Sequence, residues 1–440
     1  MRFNYKTIED LRRDLLENDF TLPLSEDLSL LRQELSIGDK VIPNRLATHP
    51  MEGCDGLPDG SPGELTYRRY SRFASGGAGL IWFEAVAVNE MGKSNPGQLM
   101  ITPNNAGQFR DLVETIRQLA KESMGHDPYL VLQLTHSGRF GIHKQIVSHY
   151  EVLDKKTGLS PDYPVMTDEE LDQLSEDYLQ AAKLGALAGF DAVDIKGCHR
   201  YLLSELLGAH ERTGRYGGSY ANRTQFFKNV MKAIKKEADI DLAIRLNVYD
   251  AIPYPYGWGT DSRGEPDLTE PVRFVQELES LGVRLFNVTA STPYLTPHIS
   301  RPYDQPGRFG YLPPERPLKG VVRLLGLARE IQTQIPQSIV VGTGFSWLRH
   351  LAPYVGAGMI REGWAKVIGF GRGAFAYPDF ARDILKHGKM DRNKTCITCS
   401  KCAELKSKGL TSGCVVRDPE IYVPVYRKLD LMEEREGGTS

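Results

Sequence analysis

A chain of 440 residues, 41% hydrophobic and 25% charged, has the composition of a globular protein in water, with room for one large core and appendages. A formal net charge of −2 gives no footing for nucleic acid or an acidic membrane surface, and the apolar run GLIWFEAVAV (79–88) is too short to span a bilayer. The opening MRFNYKTIEDLRRDLLEND carries charges where a signal peptide needs an apolar core, so a cytoplasmic location with reduced thiols is expected.

Thr7 followed by Asp10 forms a capping-box pattern, and Ile8, Leu11, Leu15 and Leu16 then mark one face of a helix. This N-terminal helical extension, residues 1–37, is expected to lie across something larger. From about residue 45 short apolar runs alternate with longer amphipathic ones. The expected strands are RLATHPM (45–51), GLIWFEAVAV (79–88), YLVLQLTH (129–136) and AVDIKG (192–197). They continue with DLAIRLNV (241–248), RLFNVTA (284–290), SIVVGTG (338–344) and VIGFGR (367–372). Helical patterns such as DEELDQLSEDYLQAAKLGALAG and FKNVMKAIKKEAD lie between them. Strand–helix alternation repeated eight times predicts a (β/α)8 TIM barrel over 38–390, followed by a cysteine-bearing segment and tail over 391–440.

Such barrels gather their chemistry at the C-terminal ends of the strands. There the sequence places His49 and Glu52 (first strand), Gln133 and His136 (third), Lys196 and His199 (fourth) and Arg245 (fifth). Taken singly, each reads as a solvated rim residue or ion-pair partner; their joint placement at one end argues for a site. The last two strands close with GTGF (342–345) and GFGR (369–372). Glycines there let backbone N–H groups approach an anion, and Arg372 adds a charged fork, so a phosphate site is expected. The loose GxGxxA match at Gly369–Ala374 is not read as a dinucleotide fingerprint, because no βαβ unit with a suitable acidic residue follows it.

The stretch DAVDIKGCHRYLLSELLGAHERTGRYGGSYANR (191–223), with NRLATHPMEG (44–53), LQLTHSGR (132–139) and GFGRGAFAYPDF (369–380), resembles the Old Yellow Enzyme family of flavin-dependent reductases. The resemblance implies an oxidoreductase with FMN, its phosphate at Gly344, Gly371 and Arg372. It places the flavin ring against His49, Pro50, Met51, Glu52 and Ala85, with Gln133 at the pyrimidine edge and Arg245 near N1. A guanidinium there suits the negative charge of a reduced flavin. The family's HxxHxY or HxxNxY pattern becomes Lys196-Gly-Cys-His199-Arg-Tyr201, with Lys196 in place of the usual first His. By that resemblance Lys196 and His199 polarise a carbonyl oxygen, flavin N5 delivers hydride to the β-carbon, and Tyr201 protonates the α-carbon. Glu52 departs from the Thr or Cys of many relatives; it either pairs with a cation, Lys196 first, or turns outward to solvent.

Cys396, Cys399, Cys402 and Cys414 fall in one short segment, spaced C-x2-C-x2-C-x11-C. Compact CxxCxxC triplets suit a [4Fe–4S] cubane, whereas structural zinc more often uses two separated pairs; disulfides and free thiols are the remaining readings. The segment resembles the iron–sulfur branch of the family, which includes 2,4-dienoyl-CoA reductase and trimethylamine dehydrogenase. In that branch further C-terminal domains bind a dinucleotide, and this chain ends at Ser440 without room for them. The electron donor is therefore expected to be NADH or NADPH acting directly, or a docked electron-transfer protein. The leading expectation is reduction of an unsaturated carbonyl or enoyl compound. Amine dehydrogenation and a pure electron-relay subunit stand as alternatives, and the resemblance makes a homo-oligomer plausible. The loops 137–166 and 291–318 are expected to wall the pocket.

Overall fold

The computed structural model describes residues 2–308 and 310–437, so the end of the expected tail, residues 438–440, lies outside the described residues. All eight expected strands form: β1 (Leu46–Thr48), β2 (Leu80–Ala87), β3 (Tyr129–Thr135), β4 (Ala192–Ile195), β5 (Asp241–Tyr249), β6 (Leu285–Ala290), β7 (Ile339–Gly342) and β8 (Val367–Phe370). Each pairs in parallel with the next, and β8 closes on β1 through Ile368–Leu46, Gly369–Ala47 and Phe370–Thr48. The result is a (β/α)8 barrel. Strands buried on both faces need apolar side chains throughout, which is why they appear in the sequence as continuous runs rather than alternating ones.

Local signals fix the helices. Thr7 and Asp10 make the expected reciprocal cap on Ile8–Glu17, and Thr167 with Glu170 does the same for Asp168–Leu187. A hairpin that the sequence reading does not contain, Leu35–Ile37 with Lys40–Ile42, delivers Ile37 and Ile42 against Ala47, Leu80, Trp82, Tyr129 and Val367. It stoppers the N-terminal end of the barrel, leaving chemistry to the other end.

The cysteine segment folds back over the barrel. Its helices Lys401–Ser407 and Pro419–Gly437 share a small core of Leu405, Val415, Tyr422 and Leu429. Asp418 ties this unit to the helix Glu64–Ser75, accepting from Arg68 at 2.7 Å and Arg72 at 2.6 Å. Among the described residues no helix is long and apolar enough to cross a membrane.

Candidate active site

At the C-terminal mouth of the barrel lies a cavity of about 460 Å³, within the range of ligand pockets. His49, Pro50, Met51, Glu52, Gln133, Lys196, His199, Arg245, Gly344, Gly371 and Arg372 all line it. Of the expected set, Ala85 and Tyr201 do not. Ala85 is buried beside the cavity, its carbonyl accepting from Gln98 at 2.9 Å. His136 is also buried away from it and takes a bond from the Gly138 amide through Nδ1 at 3.2 Å.

One end of the cavity is built for an anion. Gly344, with φ of 124°, holds a backbone conformation that side chains disfavour. A Cβ on Gly369 would meet the His49 ring at 2.3 Å, so glycine keeps the floor open. Arg372 gives one Nη to the Pro302 carbonyl at 2.7 Å, while Arg372 Nη1 and Arg245 Nε are buried with no partner among the described residues. Arg301 also lines the cavity; burial first and then the neighbouring Arg372 push its pKa down to about 10. Clustered guanidinium groups with unmet N–H donors, beside glycine backbone, match a phosphate-bearing ligand. His49 is neutral: burial and Arg245 push its pKa down to about 3, Nδ1 accepts from Asn287 at 3.0 Å, and Nε2 faces the Gly342 carbonyl at 3.2 Å.

The other chemistry centres on Glu52. The side chain is buried, so the solvent-facing alternative fails. Its Oε1 lies 3.8 Å from Lys196 Nζ, the expected partner, and 3.1 Å from Lys406 Nζ, which no sequence signal indicated. Burial pushes the Glu52 carboxyl up, but the two ammonium groups outweigh it and hold its pKa below the ordinary value. Burial drops Lys196 to about 8, with Glu52 opposing. Tyr201 lies just behind the wall, its oxygen 3.3 Å from Glu52, 3.2 Å from the Tyr294 hydroxyl and 3.2 Å from Lys406 Nζ. Lys196 Nζ stands 3.7 Å above the Tyr201 ring. His199 and Arg200 take left-handed backbone angles, φ 65° and 59°, which turn the chain sharply after β4. Thr292 secures that turn by donating to the His199 carbonyl at 3.1 Å. Tyr294 stacks on Phe140 with centroids 3.7 Å apart, giving the cavity a flat aromatic wall from the two loops expected there.

Cys396, Cys399, Cys402 and Cys414 line a second, smaller cavity together with Arg372 and Phe375. Backbone amides of Thr398 and Arg417 donate to the Cys396 and Cys414 sulfurs, each at 3.3 Å. Burial pushes the Cys402 thiol up to about 11 and Cys414 up to about 12. Among the described residues no set of three or more His, Cys, Asp or Glu side chains converges tightly enough to hold a metal ion. Cys402 and Arg372 line both cavities.

A sequence model of the NADH:flavin oxidoreductase / NADH oxidase family matches residues 31–292. The chain belongs to this family. The family is one of flavin- and NAD(P)H-dependent oxidoreductases, and the arginine-and-glycine end of the cavity fits an anionic phosphate in charge. Among curated relatives, a metal reductase of Desulforamulus reducens is 25% identical over 85% of this chain and 51% of its own. An NADPH dehydrogenase of Listeria monocytogenes is 27% identical over 60% of this chain and 73% of its own. A solved 2-naphthoyl-CoA reductase shares the fold, with a TM-score of 0.69, 18% identity, and coverage of 92% of this chain and 58% of that one. The chain thus spans about half the length of the metal reductase it matches.

Proposed function

We propose that this family member is an ene-reductase: with FMN bound, it reduces the C=C bond of a flat α,β-unsaturated carbonyl or enoyl compound. The observation that carries the reading is the placement of Lys196, His199 and Glu52 in the same cavity as the arginine-and-glycine end, with the Tyr201 hydroxyl bonded to that wall. FMN, when bound, accepts electrons from NADH or NADPH and supplies hydride. Arg372, Arg301, Gly344 and Gly371 would hold its phosphate, and Arg245, Gln133 and His49 to Glu52, which line the rest of the same cavity, would take its ring. Lys196 and His199 donate to the substrate oxygen and stabilise the negative charge that develops there. Tyr201 supplies the proton to carbon. The flat wall of Phe140 and Tyr294 favours a conjugated substrate. The lysines and arginines that line the same cavity argue against a cationic amine.

The four cysteines are assigned as ligands of a [4Fe–4S] cluster. They share one cavity, and two of the sulfurs receive backbone amides, as sulfurs carrying negative charge do. Thiolates on a cubane bind four different irons, so they stand farther apart than ligands of a single ion. Iron and acid-labile sulfide analysis of anaerobically prepared protein tests this; stoichiometric zinc without sulfide refutes it.

Anaerobic stopped-flow tests the activity. The FMN-loaded protein is mixed with NADH or NADPH, and the reduced protein then with enones, enoyl thioesters and amines. Reoxidation by an electron-poor alkene is expected. Tyr201→Phe should slow that step about a hundredfold, in the range of general-acid contributions. A larger loss in Tyr294→Phe than in Tyr201→Phe would move the donor to Tyr294.

A further inference from the structure

Tyr201 is only 2% exposed, so a proton it gives to substrate must be replaced through the groups it touches. Those groups are Glu52, Tyr294 and Lys406. The Lys406 side chain is 32% exposed against 6% for Glu52, and it bonds both Tyr201 and Glu52. It comes from the helix Lys401–Ser407, one turn beyond Cys402.

We propose that Lys406, held in place by Glu52, is the proton supply of Tyr201, linking the buried phenol to water. The inference rests on the ene-reductase reading. As the Tyr201 O–H bond breaks and a substrate C–H bond forms, a phenolate is left. An N–H of the Lys406 ammonium then breaks and the phenol O–H re-forms. The neutral amine takes a proton from solvent, and no electrons move along this path, since both arrive with the hydride from reduced flavin. The titratable groups facing Lys406 are Glu52, Tyr201, Tyr294, Cys54, Lys196 and His199. Burial is the largest influence and disfavours its charge, yet Glu52 together with the acidic groups around it, Tyr201, Tyr294 and Cys54, outweighs burial and keeps it an ammonium between turnovers. Burial and the Glu52 charge likewise raise the pKa of Tyr201, so its phenolate is a strong base that readily takes the proton back. The cysteine segment thereby contributes to proton delivery as well as to covering the site.

The test compares Lys406→Met and Lys406→Arg in FMN-loaded protein, with NADPH as reductant and cyclohexenone as the alkene probe. In Lys406→Met the oxidative half-reaction should slow about tenfold more than the reductive one, the low end of proton-transfer effects. Its solvent deuterium isotope effect should rise, added ethylamine should restore rate in proportion to concentration, and Lys406→Arg, which keeps the charge but does not release its proton, should slow as Lys406→Met does. Equal slowing of both half-reactions, or an unchanged isotope effect, overturns the relay while leaving the ene-reductase reading intact. A wild type that NADPH reduces but cyclohexenone cannot reoxidise overturns both.

Discussion

The side-chain amide of Gln133 donates to Asp194 Oδ2 at 2.6 Å, and this bond fixes which end of Gln133 meets the cavity. Trp82 Nε1 gives a second bond to the same oxygen at 2.8 Å, and the Arg245 backbone amide gives one to Oδ1 at 2.6 Å. Burial pushes the Asp194 pKa up, but three N–H donors converge on it, and that arrangement suits a carboxylate. Gln133 therefore presents its carbonyl oxygen to the cavity, an acceptor for the imide N–H of a flavin.

Asp194→Asn tests this directly. An amide in place of the carboxylate turns an N–H toward at least one of the three donors, at a cost of about 1–3 kcal/mol. Part of that loss should appear as FMN affinity weakened about tenfold, equivalent to about 1.4 kcal/mol. Fluorescence titration with FMN, with circular dichroism to verify folding, gives the answer. An unchanged dissociation constant would show that Gln133 needs no such support.

Arg372 presents one buried guanidinium nitrogen without a partner among the described residues and another tied to the Pro302 carbonyl. Lysine keeps the charge but loses the fork. Arg372→Lys should weaken FMN about tenfold or more while leaving riboflavin, which lacks the phosphate, nearly unaffected. Equal losses for both flavins would place Arg372 away from the phosphate.

The barrel was legible because each strand is a short apolar run, and several of these runs lead into polar residues or glycine that packing alone does not select. Lys196, His199 and Arg245 were readable for the same reason. Lys406 was not: its segment is dominated by cysteines, and nothing in local periodicity says that a helix after the barrel folds back over its mouth. Arg301 and Tyr294 lie in a loop expected to form the wall, but a loop's aim depends on what it packs against. The pairing of Glu52 with Lys196 was anticipated, although the nearer cation is Lys406. Asp194 looked like one more strand residue, since its role depends on three donors from three different strands. The hairpin stopper was missed because its strands are only three residues each.

Lys196 gives the reaction its upper pH limit. Burial lowers its pKa to about 8, against the opposing pull of Glu52. Above that value the amine is neutral and stabilises a developing oxyanion less, so kcat/KM for an enone should fall as pH rises through about 8. Arginine stays charged over this range. Lys196→Arg should therefore remove the alkaline limb, at some loss of rate from the larger side chain. A limb that survives in that variant belongs to another group.

Glu52→Gln separates the electrostatic role of this carboxylate from its hydrogen bonds. Glutamine retains an acceptor for Tyr201 but removes the negative charge beside Lys196 and Lys406. The cavity becomes more positive, which stabilises an anionic reduced flavin, so the flavin potential should rise. For a two-electron couple each 1.4 kcal/mol of extra stabilisation amounts to about 30 mV, and a rise of at least that size is expected. Without its counter-charge Lys196 is harder to protonate, so the alkaline limit of the pH profile should move below about 8. Dye-coupled anaerobic titration reads the first effect and the kcat/KM profile the second. Both shifts together place the Glu52 charge next to flavin and substrate alike. A moved pH limit with an unmoved potential confines its influence to Lys196, and neither shift would mean that the charge is neutralised by its lysines before it reaches the cavity.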